Sequence, residues 1–247
     1  MLHLQKRVIL ITGGSSGLGA KFVETLSASD ENIIYFTHSK TPEKLKEIMP
    51  VAGNSIPVLC DQRNENEIIN CVARVISEQE RIDVLVNNAC SSFKPCDFLS
   101  SDWGLFQDII DVNVKGSYIF SREVSKIMKI QGSGKIINIL SSYVINVPPE
   151  KLSFYITAKY ALLGLSKATA AELCKYGITV NMISPGLMST PLSSYLPRKF
   201  LEVYSQTHPM KRMTTTSDVA DVLKFLLSDG SNFLNGVNIP VNGGESY

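Results

Sequence analysis

Short apolar runs alternate along the chain with longer stretches whose apolar positions recur at helical spacing. Val8–Thr12 is a run of strand length, and a glycine-rich turn leads from it into a predicted helix over Leu18–Ser27. Ile33–Phe36 and Ile56–Leu59 read as the second and third strands. Between them a helix is expected to open at Thr41-Pro42-Glu43, where a hydroxyl cap precedes proline at the first helical position. A helix over Glu65–Glu80 leads into the strand Val84–Asn87. A long helical stretch then runs from about Asp102 to Ile130 and is stopped by Gly132-Ser133-Gly134 before the strand Ile136–Leu140. The helix Tyr155–Lys175 ends at Gly177, a residue suited to the left-handed stop. Thr179–Ile183, a helix over Ser217–Leu227 and a last strand Val237–Val241 complete the pattern. Strands buried on both faces read as continuous apolar runs, and crossovers through helices are right-handed. The pattern predicts one α/β domain over 1–247, a Rossmann-type doubly wound sheet of about seven parallel strands with helices on both faces. The irregular segment 184–213, with Pro185, Pro191, Pro197 and Pro209, is expected to be a substrate lid.

Composition narrows the class. The 247 residues are 44% hydrophobic and 19% charged, as in a globular domain with a sizeable core. A net charge of +1 provides no global field for nucleic acid or a membrane surface. No run of about 18 apolar residues is present, and Met1–Arg7 is too short and polar for a secretory signal, so a cytoplasmic protein is expected. The five cysteines form no C-x-x-C and the three histidines no ligand pair, so neither a disulfide framework nor a metal site is expected.

Candidate chemistry collects at strand ends. Thr12-Gly13-Gly14-Ser15-Ser16-Gly17-Leu18-Gly19 lies between the first strand and the first helix. Its glycines at 13, 17 and 19 allow a tight turn and close approach to a pyrophosphate, which the helix N-terminus attracts. An acid at the end of the second strand selects NAD, and a basic residue selects the 2′-phosphate of NADP. Here Thr37-His38-Ser39-Lys40 contains no acid, which favours NADPH over NAD. Tyr155 and Lys159, four apart, share a helix face, where an ammonium can lower the phenol pKa and suit the tyrosine to proton transfer. Ser141 ends the fifth strand, where a hydroxyl can hold a substrate carbonyl; Ser142 is its rival. The Asn87-Asn88-Ala89 amides either brace the sheet or meet the cofactor. Asn113 interrupts an apolar helix and needs a partner if buried.

These residues, with Asp61, Pro185-Gly186 and the tail Val241-Asn242-Gly243-Gly244, resemble the short-chain dehydrogenase/reductases over nearly the whole chain. The resemblance implies that Tyr155 donates the proton, Lys159 binds the nicotinamide ribose and tunes Tyr155, and Ser141 holds the carbonyl. It also implies that Asn113 supports a proton relay, and that Asp61 with Gln62 meets the adenine. Asn88 and Ala89 contact the cofactor, and Pro185, Gly186, Met188 and Thr190 border the nicotinamide. Cys90 stands where the family usually has glycine, and the loop between Ser141 and Tyr155 is one residue longer than usual. Within the family the chain is most similar to 3-oxoacyl-[acyl-carrier-protein] reductases, on Pro209-Met210-Lys211-Arg212, Ser217-Asp218-Val219-Ala220 and Gly236–Gly244. That implies a β-ketoacyl substrate on an acidic acyl carrier protein, met by Lys126, Lys129 and Lys175, and a homotetramer. Two other readings are an oxidoreductase of a sugar or small alcohol and a catalytically silent NADPH-binding scaffold.

Overall fold

The computed structural model describes residues 6–39 and 54–246. Seven parallel strands form one sheet in the order β3-β2-β1-β4-β5-β6-β7. They are β1 (Arg7–Ile11), β2 (Asn32–His38), β3 (Ser55–Leu59), β4 (Val84–Asn87), β5 (Gly134–Ile139), β6 (Ile178–Pro185) and β7 (Asn238–Val241). The order reverses direction at β1, so the crevice between the carboxyl ends of β1 and β4 is the place where an open α/β sheet binds its ligand.

The described helices are α1 (Gly17–Ser27), α2 (Glu65–Gln79), α3 (Trp103–Ile110), α4 (Ser117–Gln131), α5 (Ser153–Leu173), α6 (Arg198–Thr207) and α7 (Thr216–Leu227). Alternation along β1 sorts the two cores. Ile9 and Ile11 pack with Phe22, Leu26 and Leu223 from α1 and α7, while Val8 and Leu10 pack with Ile68, Phe120 and Val124 from α2 and α4. Burial on both faces is the reason these strands read as unbroken apolar runs. Three buried hydrogen bonds tie neighbouring strands together and to their helices: Asn87 Nδ2 donates to Ser121 Oγ (3.0 Å) and Asn138 Oδ1 (2.7 Å), and Asn138 Nδ2 to Ser166 Oγ (2.7 Å). Asn87 therefore braces the sheet.

Several boundaries differ from the sequence reading. The stretch predicted as one long helix is α3 and α4 joined by a π-helical turn, Asp111–Gly116, with Asn113 inside it. Helix α5 begins at Ser153, so Tyr155 lies within its first turn and not at its start. β6 extends through Pro185, and the segment expected to be irregular contains the amphipathic helix α6. The helix expected at Thr41 falls outside the described residues, as does Lys40. No helix among the described residues is long and apolar enough to cross a membrane. All five cysteines are free, and no metal-binding cluster occurs among the described residues.

Candidate active site

A cavity of about 650 Å³ opens along the carboxyl ends of β1, β2, β4, β5 and β6. At one end lie His38, Ser39, Asp61, Gln62 and Arg63; at the other lie Tyr143, Leu187, Leu192 and Tyr195. Ser141, Tyr155 and Lys159 line it between these ends.

The turn after β1 is packed without slack. Gly13 has φ +65°, and a Cβ there would sit 2.9 Å from Ala89 Cα. Its N–H donates to Thr37 Oγ1 (3.0 Å). Thr12 is fully buried, and its hydroxyl accepts from the Asn88 and Ala89 N–H groups (3.0 Å each), so Thr12 holds the turn against β4 and does not line the cavity. Asn88 Nδ2 donates to the carbonyls of Thr12 (2.9 Å) and Gly13 (3.1 Å). Thr37 and Asn88 thus line the cavity with their polar atoms committed to the turn. Gly13, Ser15, Ser16, Gly17, Leu18 and Gly19 all line the cavity. Ser16 caps α1 without a side-chain bond and no acid occupies the helix's first turn, so the helix end keeps its positive character toward an anion.

The residues present fit a nicotinamide dinucleotide. The glycine turn and the start of α1 would hold the pyrophosphate. His38 and Ser39, with Asp61, Gln62 and Arg63, would border the adenosine. Gln62 Nε2 donates to the Val112 carbonyl (2.8 Å), while its buried Oε1 has no partner. Asp61 is paired with Arg63 (2.7 Å), which holds its carboxyl below the usual range. Pro185, Gly186, Met188 and Thr190 line the far side.

On α5, one helical turn brings Tyr155 and Lys159 to the same face, and both are buried, at 8% and 3% exposure. Lys159 Nζ donates to the Ile139 carbonyl at the end of β5 (2.9 Å) and lies 5.6 Å from the Tyr155 ring centroid. An ammonium has three donors, so this leaves two for the cavity. Burial pushes the Lys159 pKa down and the Tyr155 pKa well up. The sequence reading expected the ammonium to lower the phenol; in this arrangement desolvation by burial raises it, and the Ser141 hydroxyl is the group that favours the phenolate. Ser141 lies two residues beyond β5 and caps a short 3-10 turn, its Oγ accepting from the Tyr143 N–H (3.3 Å). Ser142 also lines the cavity.

Asn113 does not line the cavity. It is 1% exposed; Nδ2 donates to the Ile109 carbonyl (3.0 Å) and Oδ1 has no partner. It stands behind Cys90, which does line the cavity. Burial pushes that thiol up. Sequence reasoning missed Phe93 and Tyr195, whose loops have no periodicity to mark them.

The family model described as enoyl-(acyl carrier protein) reductase matches residues 13–246. The 3-oxoacyl-[acyl-carrier-protein] reductase FabG of Buchnera aphidicola is 34% identical over 242 residues, 97% of each chain. Levodione reductase of Leifsonia aquatica is 32% identical, covering 97% of this chain and 94% of that one. The crystal structure of 3-ketoacyl-(acyl-carrier-protein) reductase from Brucella melitensis, complexed with NADH, matches with a TM-score of 0.91 at 27% identity, covering 99% of this chain and 100% of that one. With its seven-stranded parallel sheet and the match over almost its whole length, the chain belongs to the short-chain dehydrogenase/reductase family, oxidoreductases of CH–OH and carbonyl groups.

Proposed function

We propose that the protein is an NADPH-dependent ketone reductase whose substrate is a β-ketoacyl thioester on an acyl carrier protein. The observation that carries the reading is the convergence of Ser141, Tyr155 and Lys159 on one cavity with the glycine turn and the N-terminus of α1.

Reduced nicotinamide, when bound, supplies a hydride to the carbonyl carbon. Ser141 holds the carbonyl oxygen by its hydroxyl, and the Tyr155 phenol gives its proton to that oxygen as charge develops there. A phenol held above its ordinary pKa stays protonated at neutral pH and arrives with the proton in place. Lys159, anchored on the Ile139 carbonyl, turns its remaining donors to the ribose and the phenol. Asn113 stands behind this group as a positioning residue for a proton relay. The absence of an acid at Thr37-His38-Ser39 supports NADPH.

The carrier reading rests on charge. Lys129, in the last turn of α4, and Lys175, in the short 3-10 turn after α5, stand 4.6 and 5.2 Å from the same Tyr176 ring and form one basic spot. Lys126 is engaged by Glu123 (2.6 Å) and is no longer counted with them. Exposed Trp103, Tyr118, Phe98 and Leu99 around α3 and α4 support assembly into a homotetramer.

NADPH consumption with a panel of β-ketoacyl thioesters, quinones, polycyclic ketones and keto sugars tests the activity. Turnover is expected for the ketoacyl thioesters; no turnover of any ketone would end the reading. Reversing the charge of Lys129 and Lys175 together should raise KM for a carrier-borne substrate, more at low salt, and spare a carrier-free one. Equal effects on both would remove the carrier.

A further inference from the structure

The half of the cavity beyond Ser141 and Tyr155 differs in chemistry from the half at His38 and Asp61. Apart from Lys159 beside Tyr155, the charged residues of the lining, Asp61, Arg63 and Asp108, cluster at the adenosine end, where Arg63 pairs with both carboxylates (2.7 and 2.8 Å). The opposite half is lined by Phe93, Tyr143, Leu152, Leu187, Leu192 and Tyr195. Apart from the Tyr143 and Tyr195 phenols and the neighbouring Ser91 and Ser92, this lining is apolar, so it suits an apolar group on the carbonyl better than a polyhydroxylated one.

Phe93 organises this half. It comes from the loop after β4 and its ring lies 5.0 Å from the Tyr155 ring, tilted by 38°. Phe154 meets it edge-on at 5.3 Å and 77°. Tyr195, from the segment after β6, lies 6.2 Å from it at 43°. At that separation the two rings touch one another and leave no slot for a third between them. They form one continuous aromatic wall that runs from the phenol of Tyr155 to the segment predicted as a lid. Each ring has only two side-chain torsions, and Phe93 is pinned on two sides, so the wall is rigid before anything binds. A flat ring laid on such a wall loses no internal rotations, whereas an alkyl chain of equal carbon number loses several.

Resting on the ketone-reduction reading, we propose that Phe93 and Tyr195 are specificity-determining residues, and that they select a ketone whose carbonyl bears a flat aryl or alicyclic group. For a β-ketoacyl substrate this is the group on the side of the keto carbonyl away from the thioester.

A matched pair tests it: the N-acetylcysteamine thioesters of 3-oxo-3-phenylpropanoate and 3-oxononanoate, which place six carbons, as ring or chain, on the keto carbonyl. The full-length protein with NADPH should favour the phenyl compound by about tenfold in kcat/KM, the scale of one or two ring contacts. Phe93→Leu and Tyr195→Leu keep an apolar side chain and remove the ring; each should bring the ratio toward unity while the Kd for NADPH stays unchanged. Tyr195→Phe should retain the preference. A wild-type ratio near one or in favour of the chain, or a preference that survives both leucine variants, would overturn the proposal. Should neither compound be reduced, the reductase reading fails by itself. Calorimetric binding of the same pair then decides the wall: tighter binding of the phenyl compound, abolished by Phe93→Leu, supports it, and equal binding refutes it.

Discussion

Gly19→Ala sets two effects against each other in a way the structure decides. Gly19 lies in the first turn of α1, and glycine in a helix costs about 0.5–1 kcal/mol relative to alanine, so propensity alone makes the substitution stabilising. In the fold, however, a Cβ at Gly19 would come well inside 3.0 Å of the Gly13 carbonyl oxygen and Asn88 Nδ2. Neither can step aside cheaply: Gly13 is held by Thr37 (3.0 Å), and Asn88 Nδ2 donates to the Thr12 and Gly13 carbonyls. Overpacking of this kind costs about 1–3 kcal/mol, so the net expected change lies between about zero and a destabilisation of about 2.5 kcal/mol. Gly164 is the control. It is an exposed helical glycine on α5 with nothing within 4 Å of an added Cβ, so Gly164→Ala should gain about 0.5–1 kcal/mol. The same clash pushes the start of α1 off the turn, and the Kd for NADPH should rise by about tenfold or more. Urea denaturation of the three proteins and fluorescence titration with NADPH measure both quantities. If Gly19→Ala gains stability like Gly164→Ala and binds NADPH as the wild type does, the close packing argued for this turn is wrong.

Tyr155→Phe should retain the fold and NADPH binding and lose about 10²–10⁴ in kcat; normal turnover would reject Tyr155 as the proton donor. Thr37→Asp can still accept from the Gly13 N–H but places a carboxylate at the end of β2, so the NADPH-to-NADH ratio of kcat/KM should fall by about tenfold; an unchanged ratio would move the selection elsewhere. Burial pushes Tyr35 and Tyr143 to about 12 from an unfolded value of 10.0. A raised folded pKa means that the stabilisation is complete below pH 10 and is lost as pH rises from about 10 through about 12. Denaturation midpoints at pH 9 and pH 11 should differ in that direction, and Tyr35→Phe should shrink the difference.

Much of this protein could be read along the chain because its information is local. Strands such as Val8–Ile11 are apolar on both faces, turns such as Gly13–Gly19 need particular residues, and Tyr155 and Lys159 meet through one helical turn. Local physics of this kind survives in sequence order, which is why the seven strands, the glycine turn after the first and the shared face of Tyr155 and Lys159 were legible without coordinates. Tertiary structure decided the rest. Asn113 falls in a π-helical turn because its amide bonds to Ile109 and faces Cys90, a packing event that helical periodicity does not encode. Helix α6 was hidden among prolines, and its end is tied down by a contact from His208 Nε2 to the Asn242 carbonyl (2.9 Å), thirty-four residues away. The Tyr155 phenol moves up and not down because desolvation depends on everything packed around it, not on the residue four positions away. Phe93 and Tyr195 sit in loops about a hundred residues apart, and only the crossing of the chain over the ends of β4 and β6 brings their rings into one wall.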